Sequence, residues 1–335
     1  VCEPLDGVSG AVRAMYRMPG GSIIIASKDD SSVAFFSSTK CQGYLGRDGH
    51  IRQTKVPFAP VYSVLCDSRG TLWLGSKPDG LFRLRQTDGT AYSVEHVTDA
   101  LRLGCKDIYD IKEDRQGRLW LAPLGGGIVC ITNPQARASE MKVVEMGRVV
   151  RGVCNESNRV RRLLIMPDGM LIATTTAGIV VFDNIYQPFD RVKVYRHVRE
   201  GNRATSLTNS ATMDMVDCGD GRIAFSTESG GVNIARIGDL CSQGCEFQHV
   251  TTSSGLSSDI VKSMTKYDDG HILLQQNDML SVLDVRTNRV TSFRSSFFGS
   301  RLMFSEAEPL VVRNIGVTFI FLALEDGVAV TTSHD

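Results

Sequence analysis

Tyr62 and Tyr109 stand at matching points of two similar stretches, and Arg161 stands at the matching point of a third. A tyrosine can lay its ring on a sugar and donate its hydroxyl. Arg159, Arg161 and Arg162 offer planar guanidinium forks that pair a carboxylate or sulfate bidentately. Lys106, Asp107, Asn209 and Asp259 fall in the loops that lead into segments of the same kind. These nine residues are the ligand-binding candidates. The alternative for each is a hydrogen bond between neighbouring elements, or solvation.

Signals for catalysis are weaker. His50, His96, His197, His249, His271 and His334 fall mostly on expected outer strands or turns. No two carboxylates have a spacing that favours general acid–base work, so no catalytic residue is assigned. Convergence of distant loops remains the route by which an enzyme would escape notice. No metal site and no cofactor are expected. Nine cysteines are an odd number, so at least one lacks an intramolecular partner. Cys66 and Cys130 lie within expected strands and Cys218 at a strand end, where they read as small buried hydrophobes. Cys241 and Cys245 are the pair best placed for a loop disulfide. Their close spacing does not guarantee the geometry of a bridge.

The elements that position these residues come from a repeat. VYSVLCDSRGTLWLGSKPDGLFRLR, residues 61–85, returns as IYDIKEDRQGRLWLAPLGGGIVCIT at 108–132. Aligned on its turn glycine, the unit recurs at Gly21, Gly70, Gly117, Gly169, Gly221, Gly270 and Gly316, with spacings of 49, 47, 52, 52, 49 and 46 residues. Just after the glycine comes an apolar triplet, such as Ile23-Ile24-Ile25 or Leu72-Trp73-Leu74. Alternation would leave the middle residue in water, so this strand is buried on both faces. A second turn opens a third strand at Gly80, Gly127, Gly178, Gly231 and Gly327.

A sheet of about four strands cannot bury both faces alone, but it can against like neighbours. Units of about 40–50 residues are in the range of propeller blades. The chain is therefore expected to be all-β, a seven-bladed β-propeller with four-stranded antiparallel blades. The blades fall at 11–58, 59–104, 105–155, 156–205, 206–253, 254–299 and 300–335. The first blade's outer strand is expected near Ile51 to Val56. The last blade shows three strands, so Val1 to Leu5 are expected to pair outside Val328 to Thr332. Pro4 is tolerable there because an outer strand needs no donor on its free side.

Bulk composition narrows function further. The 37 basic and 37 acidic residues cancel, which argues against nucleic acid as a partner, since that needs a basic surface. No run is long and apolar enough for a membrane span. The first residue is Val1 and no amino-terminal signal is seen, so the chain reads as a processed or excised segment. Trp73 and Trp120 share one strand position and read as core. Asp67 and Asp114, three residues before their glycines, read as acceptors for their own turn backbone. One extra residue between Asp and Gly separates this pattern from the sialidase Asp box.

The motif D-x-x-G-x-L-W-L-G followed by x-x-x-x-G-L resembles the two-component regulator propeller repeat. Ser206-Leu207-Thr208-Asn209, Gly230-Gly231-Val232-Asn233 and Ser254-Gly255-Leu256-Ser257-Ser258 extend the likeness. It is clear in blades 2, 3, 5 and 6 and weak in 1 and 7. Blades 4 to 7 lack the tryptophan, and blade 6 lacks the second glycine. The resemblance implies a periplasmic sensor module of a hybrid two-component system, a hybrid histidine kinase of gut-bacterial type. Such receptors carry two propellers, a β-sandwich, a membrane helix and a kinase, and they respond to oligosaccharides from polysaccharide breakdown. FIFLALEDGVAV resembles the last blade before that sandwich, which would make this the second propeller. The implied partners are an oligosaccharide, neutral or anionic, the neighbouring propeller and β-sandwich, and a second receptor copy in a homodimer. Two alternatives stand beside this non-enzymatic reading: a propeller enzyme acting on glycans, lyase or hydrolase, and a pure protein-interaction scaffold.

Overall fold

Alternate residues of a strand face opposite ways, so an apolar triplet must meet a core on each side. The computed structural model describes residues 2–104, 106–150, 159–294 and 302–334. In blade 1, Ile23 and Ile25 enter one core with Leu5, Phe321 and Val330 of blade 7. Ile24, between them, enters another with Leu72, Leu74 and Phe82 of blade 2. All three isoleucines are buried, and each fully buried one is worth about 1.5–3 kcal/mol of transfer free energy.

Among the described residues seven sheets result, six built from antiparallel strands taken in chain order and one closed by a strand from the chain's start. The fold is a seven-bladed β-propeller. In blade 2 the strands are Val61–Cys66, Leu72–Ser76, Gly80–Asp88 and Ala91–His96. Blade 3 has Ile108–Glu113, Leu119–Pro123, Val129–Ile131 and Val143–Glu145. The chain divides into two compact units. The first comprises Val1–Ile111, Gln135–Met141 and Ser295–Asp335; the second comprises Lys112–Pro134 and Lys142–Arg294. Within the second unit the same alternation holds. Leu171 and Ala173 of blade 4 join the core containing Trp120, whereas Ile172 joins Ile223 and Phe225 of blade 5.

Blade 7 takes its fourth strand from the chain's start, as expected. Cys2–Pro4 pairs with Gly327–His334, placing Cys2 opposite Thr331 and Pro4 opposite Ala329. The Leu5 amide donates to the Val328 carbonyl at 2.8 Å. Val1 lies outside the described residues, as do the blade boundaries expected at 105, 155–156, 299–300 and 335.

Two expectations are corrected. The fourth strand of blade 1 is Lys40–Leu45, and Ile51–Arg52 forms a fifth beyond it. Ser38 adopts a positive φ of 51°, so Ser38 and Thr39 close a two-residue hairpin that carries no glycine to announce it. Cys41, which opens that strand's core face, is a free thiol. The Cys241–Cys245 bridge is also not formed: both are free thiols. Cys245 is buried in the core of blades 4 and 5, and Cys241 packs at its margin, so burial rather than bonding accounts for both.

The turns show why Asp precedes Gly. Asp67 Oδ1 accepts from the Arg69 and Thr71 amides at 3.0 and 2.9 Å, and Gly70 takes φ 81°, where a side chain would be strained. Asp67 Oδ2 accepts the Trp73 indole N–H at 2.9 Å. Asp114 repeats this with Gln116, Arg118 and Trp120 at 2.9, 3.0 and 2.8 Å. Blades also clasp one another through first-strand side chains. Ser63 Oγ donates to the Ile108 carbonyl at 3.1 Å, and in the second unit Asp214 Oδ2 accepts the Met264 amide at 2.9 Å. Gly75 sits where a Cβ would lie 2.2 Å from Ser63 Oγ, so the glycine of Leu-Trp-Leu-Gly makes room for that clasp.

Candidate functional site

Two candidate positions, Tyr62 and Arg161, share a backbone device that periodicity does not reveal. The pairing of first and second strands slips between Val12 and Ala14, between Val61 and Ser63, and between Val160 and Arg162. The skipped residues are Arg13, Tyr62 and Arg161. A β-bulge leaves its extra residue out of the ladder and re-aims its side chain. In blade 5 the pairing slips between Thr212 and Met215, past Met213 and Asp214, so the residue eight before the turn glycine is set apart in four blades, as Arg13, Tyr62, Arg161 and Met213.

In the first unit these positions form a row. The Tyr62 and Tyr109 rings lie 5.3 Å apart, tilted by 35°. The Arg13 guanidinium lies 6.0 Å from the Tyr62 ring centre, and the Lys77 ammonium lies 5.7 Å from that of Tyr109. Lys77 Nζ donates to the Tyr109 hydroxyl at 3.3 Å. That bond leads the causes that raise the Lys77 pKa above its ordinary value; the nearby Asp107 carboxylate is a smaller one. Arg13 Nη1 stands 3.6 Å from Glu325 Oε1. The tyrosine faces expected to receive a sugar are therefore turned toward each other and toward the two cations.

Lys106, by contrast, reaches Asp99 at 3.6 Å on the exposed surface. Sequence reasoning chose none of Arg13, Lys77 and Glu325. The shared offset from the turn glycine was the signal for Arg13; nothing local marks Glu325.

In the second unit Arg161 Nη2 lies 3.9 Å from Glu228 Oε2. Arg159 is exposed and engages Thr176 by backbone: its amide donates to Thr176 Oγ1 at 3.2 Å and its carbonyl accepts the Thr176 amide at 3.1 Å. The Arg162 amide donates to Thr174 Oγ1 at 3.1 Å, in register with that residue, so it belongs to the ladder that Arg161 leaves. Asn209 and Asp259 shape loops. Asn209 Nδ2 donates to Ser229 Oγ at 2.6 Å while its Oδ1 accepts the Ala211 amide at 2.7 Å. Asp259 Oδ1 accepts the Thr252 amide at 2.8 Å. Among the described residues no group of three His, Cys, Asp or Glu side chains is placed to hold a metal ion.

The bulged position keeps its place in four blades while its side chain changes, from Arg13 to Tyr62, Arg161 and Met213. Residues 55–77 and 102–124 match the family described as two component regulator propeller. The matches cover the blades with the Asp67–Trp73 and Asp114–Trp120 pairs. No curated protein matches this sequence. Similar solved structures include virginiamycin B lyase from Staphylococcus aureus, at a TM-score of 0.65 and 12% identity, covering 100% of this chain and 99% of that one. PorZ, a surface component of the type-IX secretion system of Porphyromonas gingivalis, matches at 0.68 and 13%, covering 96% of this chain and 46% of that one. The extracellular domain of the hybrid two component system BT3049 from B. thetaiotaomicron matches at 0.46 and 14%, covering 95% and 51%; at that score it carries no argument. At these identities the first two show the fold alone.

Proposed function

We propose that this chain is a non-enzymatic ligand-sensing module of a hybrid two-component receptor, exposed to the periplasm and responding to an oligosaccharide. The observation that carries this reading is that a repeated bulge presents a different side chain in each blade where it is seen, polar in three of them, Arg13, Tyr62 and Arg161, and apolar Met213 in the fourth. The matches to the two component regulator propeller family at 55–77 and 102–124 supply the signalling context. No helix among the described residues is long and apolar enough to cross a membrane, so in this reading the anchor belongs to another part of the receptor. Its partners there are a neighbouring propeller, a β-sandwich and a second receptor copy.

The test is a thermal-shift screen of the chain against an oligosaccharide library, because a ligand that binds the folded state raises its apparent stability. A stabilising oligosaccharide that is recovered uncleaved supports the reading. Cleavage of a glycan replaces it with a propeller enzyme, and no stabilisation by any member removes the saccharide.

A further inference from the structure

We propose that Arg13 is the polar anchor for a neutral, polyhydroxylated ring, a neutral hexose unit, bound along the row formed by Arg13, Tyr62, Tyr109 and Lys77. The inference rests on the ligand-sensing reading and specifies its ligand.

Arg13 occupies the bulge of blade 1. Its Nη1 is buried, yet no protein group accepts a hydrogen bond from it. Glu325 Oε1, at 3.6 Å, is beyond hydrogen-bond length. Buried donors are almost always satisfied, and the exceptions gather where function needs them. An incoming oxygen between Arg13 and Glu325 would accept from the guanidinium. A hydroxyl oxygen suits that place better than a carboxylate, because it also donates onward to Glu325.

Charge points the same way. Glu325 and, more weakly, Glu306 act on Arg13, whose side chain also hydrogen-bonds Tyr62, and Asp107 acts on Lys77. Each cation of the row already has a carboxylate facing it, so an added anion would meet repulsion beside attraction. The tyrosine faces are engaged with each other at 5.3 Å and with the cations. The tyrosines therefore contribute their hydroxyl ends, which donate and accept alike. A row of matched donors and acceptors recognises a polyol.

Calorimetric titration of the chain with neutral hexose trisaccharides, and with uronic acid trisaccharides of the same linkages, tests the assignment. A neutral member should bind and its uronate should not. Arg13→Ala should weaken the neutral ligand about tenfold or more while the thermal midpoint of the free protein holds. Arg13→Lys keeps the charge and loses the fork, so it should show a partial loss even if the alanine variant folds poorly. Glu325→Gln removes the opposing carboxylate and should let the uronate bind. A uronate that binds better than every neutral member overturns the inference and leaves the sensor reading intact, as does neutral binding that Arg13→Ala does not change. No binding by any member removes the saccharide reading with it.

Discussion

The Asp67 carboxylate joins a turn to a core: one oxygen holds the Thr71 amide and the other accepts the Trp73 indole N–H at 2.9 Å. Gln135 Nε2 donates to that second oxygen at 2.7 Å, so a connection from blade 3 closes over the same carboxylate. The buried Arg83 adds to this by donating to the Ala136 carbonyl at 2.6 Å and to both oxygens of Glu95 at 3.1 and 2.9 Å. Trp73 itself is fully buried. Trp73→Ala should cost about 3–5 kcal/mol, the range for a buried aromatic. Asp67→Ala should cost about 1–3 kcal/mol for each donor left buried without a partner. Denaturant unfolding measures both; losses below about 1 kcal/mol would show that the turn tolerates water in place of the carboxylate.

Arg161 pairs with Glu228 only at 3.9 Å and keeps nearly a quarter of its side chain exposed. A pair so open contributes little to stability. Arg161→Ala should therefore leave the unfolding midpoint within error while weakening glycan-induced gene expression by the intact receptor. Tyr109→Ala should do the same from the first unit. Unchanged induction at normal protein level in both variants would remove these faces from signalling.

Burial pushes the Cys130 thiol up to about 12 and the Cys218 and Cys245 thiols up to about 11. The thiolate is the reactive form, so these three should resist alkylation in the folded protein at pH 8 and react once it is unfolded. Peptide mapping after alkylation in denaturant should find Cys241 and Cys245 both labelled. An unlabelled peptide two mass units lighter would mean that the bridge forms after all.

His197 is buried, with its Nε2 donating to the Leu240 carbonyl at 2.8 Å. Burial is the main cause holding its pKa below the ordinary 6.5. The unfolded chain then binds a proton that the folded chain refuses. Stability from this residue is present above pH 6.5 and is lost as the pH falls below it. The wild type should lose more stability on acidification from that point than His197→Gln does. Equal slopes in a series of unfolding curves would assign the acid sensitivity to the carboxylates instead.

Removing residues 1–5 should leave the Gly327–His334 strand as an open edge, since Cys2–Pro4 is its outer partner. The expected result is a lower thermal midpoint and concentration-dependent association, because an unpaired edge is a template for another chain. An unaltered midpoint at all concentrations would mean that the short strand adds nothing measurable.

The blade count, the apolar triplets, the turn glycines and the pairing of the first residues with the last strand were legible in the residues alone. Those follow from short-range rules: a residue with water on neither face must be apolar, a turn with positive φ takes glycine, and a sheet edge wants a partner. The same rules placed Trp73 and Trp120 in the core. What the polar residues touch was not legible there, because their partners come from distant parts of the chain as well as from nearby. Asn209 and Asp259 hold their loops through hydrogen bonds to nearby backbone amides, and Lys106 pairs with Asp99. Tyr62 met Tyr109 because the first strands of blades 2 and 3 bring matching positions together, and Arg13 met Glu325 across 312 residues of chain. A bulge depends on the register of two strands, which the residue pattern of either strand alone does not encode. It set Arg161 apart from Arg162, although the two are neighbours and alike in chemistry.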